Sequence, residues 1–334
     1  MRESRFRFLC FVFVLCLFPQ IATASPWTLP KESLAIGFDV DFQLATSEYL
    51  DSRSVQTLPL DAEFQSTSLR IGARYGFTDR FEGSFQIALK KINYNADPVV
   101  LGFPEGVETA TVEEARGSIL DFSRSAIGSA DAHFTARYNI LRGQLMLTNE
   151  TVLKLPTGYD KPSSTLDEDG FVSDDVTLGD GQADLENSIL AGLFLPESRT
   201  FFRSGLGFRF RFGDPGHQAL ANLKVGQFLG EKFIVFVGAD ASVTVISGTP
   251  IGETLQANSD NVTAANITAD DFSPQPLYLD KDFINVGVGA LFVATSGIEI
   301  QGSYNRTVFG RNLPVINAFT VGTSITIPNL IGEP

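Results

Sequence analysis

Ser68-Leu69-Arg70-Ile71-Gly72-Ala73-Arg74-Tyr75-Gly76-Phe77 alternates without a break. Successive side chains of an extended chain point to opposite faces, so Leu69, Ile71, Ala73, Tyr75 and Phe77 share one side. Ser68, Arg70, Gly72, Arg74 and Gly76 share the other. A strand that sets aliphatic and aromatic side chains against arginines separates two very different media. The rule holds outward along the chain. Leu206, Phe208, Phe210 and Phe212 alternate with Gly205, Gly207, Arg209 and Arg211, and Phe233, Val235, Val237, Ala239, Val243 and Val245 stand against Asp240, Ser242 and Thr244. Almost no apolar segment shows the i, i+3, i+4 spacing of an amphipathic helix, so the fold reads as all-β.

Following this period gives twelve strands, near 33–45, 64–77, 82–94, 126–138, 144–155, 182–194, 201–212, 219–229, 233–246, 282–294, 298–308 and 316–327. Lys90-Lys91 breaks the alternation of the third and predicts a bulge there, and Arg306 falls on the outward face of the eleventh. Most of these strands exceed the roughly 5–6 residues of a soluble strand and match the roughly 9–11 needed to cross hydrocarbon at a tilt. The connections alternate too. Short ones lie at Thr78 to Arg80, Asn139 to Gly143, Leu195 to Thr200, Gly230 to Lys232 and Thr295 to Gly297; long ones lie at 46–63, 96–125, 156–181 and 247–281, with two shorter members near Gly213 and Gly310. Turns at one end and elaborate loops at the other predict a transmembrane antiparallel up-and-down β-barrel, with short periplasmic turns and long acidic extracellular loops.

The chain opens with Arg2, Arg5 and Arg7, an apolar run from Phe8 to Phe18, and Ala22-Thr23-Ala24 before Ser25. That is the plan of a cleaved signal peptide over residues 1–24, the run being too short for a helical span. Cys10 and Cys16 both lie inside it, so the mature chain is expected to lack cysteine. Residues 25–32 then form a periplasmic N-terminal segment whose Trp27 and Leu29 are placed to plug the base, 33–327 form the barrel, and 328–334 form a tail. The formal net charge of −14 becomes −16 when Arg2, Arg5, Arg7 and Glu3 leave with the leader. Such a balance argues against nucleic acid, whose phosphates need a basic face. The six outer loops carry nearly all of the acidic excess, 23 acidic against 6 basic residues, so the wall itself is close to neutral.

By parity, Arg70, Arg74, Lys90, Arg137, Lys154, Arg203, Arg209, Arg211 and Lys224 face inward, opposed by Asp39, Asp41, Asp131, Glu150, Asp184, Glu186, Asp240 and Glu299. On the lipid side each lysine or arginine would cost roughly 2–4 kcal/mol at the midplane, so these residues belong to a lumen. Phe194, Phe228, Ile234, Phe236, Leu291 and Val293 also face inward, all near the short turns. They pack on one another and on the N-terminal segment, or they line an exit for a poorly soluble solute.

Lys154-Leu155-Pro156-Thr157-Gly158, an acidic loop, and Leu178-Gly179-Asp180-Gly181-Gln182-Ala183-Asp184 resemble the MetA-pathway of phenol degradation family of outer-membrane proteins. Gly128 to Asp131, Ala136 to Asn139, and the Gly72 to Arg80 hairpin are similar as well. The resemblance spans roughly residues 65 to 195 and implies a barrel transporter linked to aromatic or other small hydrophobic compounds, with no catalytic residues to carry over. One departure is the chain end, where Ile327 to Pro334 replaces the terminal aromatic common in bacterial barrels.

Other constellations read as structure. His133 shares a face with Ser129, Asp131 and Arg137, which fits a lumen hydrogen-bond network better than a catalytic triad. His217 reads as a turn residue. Asp167, Asp169, Asp174 and Asp175 are a weak Ca²⁺ candidate, because Phe171 occupies a ligand position and a solvated acidic loop explains them. No cofactor or metal is expected, and no nucleotide-binding or energy-coupling motif is evident. Eight strands make a filled barrel and sixteen to eighteen an open one, so twelve predict a narrow, gated or plugged pore for passive passage of small molecules. A structural or adhesin-like barrel acting through acidic loops is the second reading, and an outer-membrane lipid-modifying enzyme the third. The expected partners are outer-membrane lipid, lipopolysaccharide and a small-molecule solute.

Overall fold

The computed structural model describes residues 25–100, 119–120, 122–159, 162, 176–257, 272–295 and 297–330. The signal-peptide reading of 1–24, the last four residues, and Asp167, Asp169, Asp174 and Asp175 lie outside the described residues.

Twelve strands build the wall: β1 Leu34–Ala45, β2 Glu63–Gly76, β3 Phe81–Asn95, β4 Arg124–Leu141, β5 Leu145–Leu155, β6 Asp184–Leu195, β7 Thr200–Arg211, β8 His217–Leu229, β9 Phe233–Ile246, β10 Asp282–Thr295, β11 Ile298–Arg311 and β12 Asn317–Ile327. Each pairs antiparallel with its chain neighbours, and β1 closes the ring on β12 in register from Leu34 opposite Ile327 to Leu44 opposite Asn317. Closure leaves no unpaired edge, the condition for crossing hydrocarbon with strands. Two short connections need a left-handed backbone, and glycine supplies it at Gly230 and Gly297. At the long-loop end, Ser47–Tyr49 pairs with Val55–Thr57 and with Leu313–Pro314, and Gly252–Ala257 pairs with Phe272–Leu277. No helix among the described residues is long and apolar enough to cross a membrane.

The wall is two-sided as the alternation requires. Phe38, Phe42, Leu69, Phe85, Leu89, Phe134, Leu206, Val237, Val288 and Val321 are exposed on the outside, whereas Asp39, Asp41, Arg74, Glu82, Arg137, Glu150 and Arg203 are buried. A water-soluble domain has the opposite arrangement. Outward aromatics meet across strand pairs, as in Phe85 with Phe134 and Phe233 with Phe292, with ring centroids 5.0 and 4.8 Å apart. Such pairs contribute about 0.2–1 kcal/mol each to register.

Three expectations change in detail. Strand β3 keeps strict alternation through Lys90 and Lys91, with Lys91 exposed and Ile92 buried. The irregularity lies earlier, between Ile87 and Leu89, where partner β4 contributes the extra residue. His217 opens β8 instead of sitting in the turn: its Nδ1 accepts from the Arg211 backbone N–H at 3.3 Å, and its ring meets Phe208 and Phe210. Strand β11 runs three residues past its expected end because a bulge near Ile284 and Asn285 of β10 lets pairing continue to Arg311. Arg306 is exposed on the outer wall, opposite Asn317 at the end of β12, a height from which a long side chain reaches the lipid headgroups.

Candidate functional site

Four consecutive strands close one side of the short-turn end with charge. Arg74 of β2 holds Glu82 of β3 in a fork, Nε to Oε1 at 2.9 Å and Nη2 to Oε2 at 2.8 Å. Arg137 of β4 reaches the same Glu82 Oε1 at 2.8 Å and Glu150 of β5 at 2.5 Å. All four side chains are buried. Residues 25–32 lie against this network: the Leu29 N–H donates to Glu82 at 2.8 Å, Thr148 donates to the Pro26 carbonyl at 2.6 Å, and Asn139 donates to the Thr28 hydroxyl at 2.6 Å. Gly76 lets the segment approach, because the Pro30 and Leu29 backbones occupy the space a side chain would need.

The other side closes with apolar surface. Trp27 packs with Met146, Phe201, Ile234, Leu291 and Val293, and Phe194, Phe228 and Phe236 pack around that cluster. Trp27 meets Phe201 edge-on with centroids 6.3 Å apart, and Phe194 meets Phe228 edge-on at 5.6 Å. Gly192 leaves room for this, since a Cβ there would stand 3.0 Å from the indole.

Above the base the lumen holds two cavities. One, of about 460 Å³, is bounded by Asp39, Asp41, Lys224, Phe236 and Asp240. The other, of about 470 Å³, is bounded by Asp131, His133, Arg137, Glu150, Glu186 and Arg209. Arg70 borders both and pairs with Asp39 and Asp41, so one ion-pair cluster stands between them. Arg209 pairs with Glu186 at 2.6 Å, and Asp240 accepts from Asn285 at 3.0 Å. Lys224 lies over the Phe236 ring, 4.4 Å from its centroid. His133 lines the second cavity, but Ser129 bonds Thr157 and Asp131 accepts from Tyr159, so neither completes a triad with it.

At the long-loop end the chain turns inward. Asp180 bridges Lys154, 2.7 Å away, and Arg211; Asp184 takes the same lysine at 2.7 Å. Lys90 donates to the Leu178 carbonyl at 3.4 Å, and the Gly181 N–H donates to the Tyr159 hydroxyl at 3.3 Å. Burial alone would raise the Asp180 pKa, but Lys154 and Arg211 outweigh it and hold the carboxyl below the usual range. Burial and the Asp131 carboxylate push the Tyr159 phenol upward. The Leu178 to Asp184 stretch is thereby latched over the second cavity. Among the described residues no group of three or more His, Cys, Asp or Glu is placed to hold a metal ion.

Among the charged strand residues of these networks, parity named all but Glu82, which pairs with two arginines at the base; Asp180 lies in a loop, beyond the reach of parity. The signal for Glu82 was available: it shares parity with Ser84, Gln86 and Lys90. Phe201 was missed in the same way, although it shares parity with Arg203.

An outer-membrane channel from Pseudomonas putida F1 superposes with a TM-score of 0.61 at 14% sequence identity, covering 92% of this chain and all of that one. The two share a fold. The transport unit of the autotransporter AIDA-I from Escherichia coli matches at a TM-score of 0.46 and 9% identity, covering 94% of this chain and 97% of that one. The NanC porin matches at 0.42 and 8% identity, covering 86% and 98%. No protein-family model matches the chain, and no curated protein matches it in sequence.

Proposed function

We propose that this chain is an outer-membrane channel for the passive passage of small molecules, held narrow by its own N-terminal segment. The observation that carries the reading is the enclosed charged lumen, with cavities of about 460 and 470 Å³ between a closed base and a latched mouth. Spaces of roughly 300–1,000 Å³ suit small solutes. The leader-like first 24 residues support export, the greasy exterior supports a lipid setting with lipopolysaccharide around it, and the fold shared with a bacterial outer-membrane channel agrees. In this reading the short turns are periplasmic and residues 25–32 are the plug.

The solute class follows from the base. Phe194, Phe228, Phe236 and Leu291 offer an apolar exit once Trp27 withdraws, which suits aromatic or other poorly soluble compounds. The resemblance of Lys154 to Gly158 and Leu178 to Asp184 to the phenol-degradation family points the same way. Purified protein in planar bilayers is expected to give stepwise current; a silent bilayer would shift the function to the acidic outer loops. Uptake of an aromatic solute into vesicles should fall in Phe236→Asp, and unchanged flux would remove the aromatic part of the proposal.

A further inference from the structure

We infer that Glu299 is a cation-binding site in a crevice at the short-turn end of the lumen, taking a small monovalent cation or a protonated amine. This rests on the channel reading and names what the channel admits while its base is closed.

Glu299 is the second residue of β11, beside the short turn, opposite Ser324 of β12 and Val293 of β10. A crevice of about 10 Å³ lies among Asp39, Leu291, Glu299, Gln301 and Ser324, which is about the room one water needs. Asp39 and Gln301 also bound the 460 Å³ cavity, so the crevice continues that cavity toward the base. Gly322 keeps the space open, because a Cβ there would stand 2.8 Å from the Asp39 Cβ and 3.2 Å from the Gln301 amide nitrogen.

Glu299 is only 4% exposed, and its Oε2 has no hydrogen-bond partner among the described residues. The other buried lumen carboxylates are engaged: Glu82 and Glu150 by arginines, Asp39 by Arg70, Asp184 by Lys154. No cation comes within ion-pair distance of Glu299 in the described structure. Of the strands around it, β10 presents Leu291 and Val293, β12 presents the Ser324 and Thr326 hydroxyls, and β1 presents Asp39, already paired. Arg74 of β2 attracts it from a distance, but its guanidinium forks onto Glu82. A buried carboxylate is strongly unfavourable until a proton or cation joins it. Once Glu299 is ionised, its oxygens and the hard oxygen donors beside it suit a small cation, and its charge repels anions.

The test uses the full chain with Cys10 and Cys16 replaced by serine and a single reporter, Gln301→Cys, with Ser303→Cys as the alternative if folding suffers. Modification by cationic and anionic methanethiosulfonates of equal size is followed by mass spectrometry. The cationic reagent is expected to react about tenfold faster, the low end of the gain from a focused charge, and Glu299→Gln should bring the ratio near one. A ratio that Glu299→Gln leaves unchanged, or no reaction with either reagent, overturns the site. If the charge preference holds while planar bilayers stay silent, the channel reading fails and this site stands.

Discussion

The same eight residues, 25–32, meet two different surfaces. Toward β2–β5 they find the Arg74, Glu82, Arg137 and Glu150 network, where backbone groups bond directly to a buried carboxylate and to Thr148. Toward β6–β10 they find Phe201, Ile234, Leu291 and the rings around them, against which the Trp27 ring packs edge-on. Charge closure is directional and fails sharply, because losing one partner leaves others buried without compensation. Apolar closure is graded, and truncation removes contact in proportion. The β2–β5 side therefore reads as the hinge that holds the segment, and the β6–β10 side as the face that can let go.

The largest expected effect tests the hinge. Glu82→Ala strands Arg74 and Arg137 and should destabilise the folded barrel by about 3–5 kcal/mol, read as an earlier urea midpoint in lipid vesicles and loss of heat-modifiable migration. A midpoint within error of the parent would break the contrast between the two sides. Trp27→Ala should loosen the segment by about 3 kcal/mol, the low end for a buried aromatic, while the barrel itself stays folded. Bilayer current should then rise without a matching change in urea midpoint; equal losses in both would make the segment part of the barrel core. The smallest effect concerns the mouth. The Asp180 pKa is lowered in the folded state, so its contribution is fully present above the ordinary carboxylate pKa and is lost as pH falls through the native value. Acidification below about pH 4 should release the latch and shift protection of Leu178 to Asp184 in hydrogen exchange, whereas Asp180→Asn should show the released state already at neutral pH.

The barrel was legible because parity is a local property: each strand from Leu34 to Ile327 declares its inner face through its own residues. Even so, Glu82 went unnoticed at a strand start, where a single inward charge has few same-face neighbours to mark it. The latch was harder. Asp180 reads like the other loop acids Asp174 and Asp175, and only the fold brings Lys154 and Arg211, 26 and 31 residues away, to either side of it. Trp27 and Leu29 stand out as apolar residues ahead of the first strand, but the bond from Leu29 to Glu82 spans 53 residues and has no local signature. What the sequence states poorly is how chain outside the strands folds back into the lumen.

The central claim is that residues 25–32 close a lumen that is otherwise wide enough to conduct. Single-channel current through the parent and through a chain lacking Pro26 to Lys31, both refolded and inserted under the same salt, tests it directly. Small unitary steps are expected for the parent and severalfold larger ones for the deletion, with heat-modifiable migration retained. Equal conductance in two folded barrels would contradict the claim.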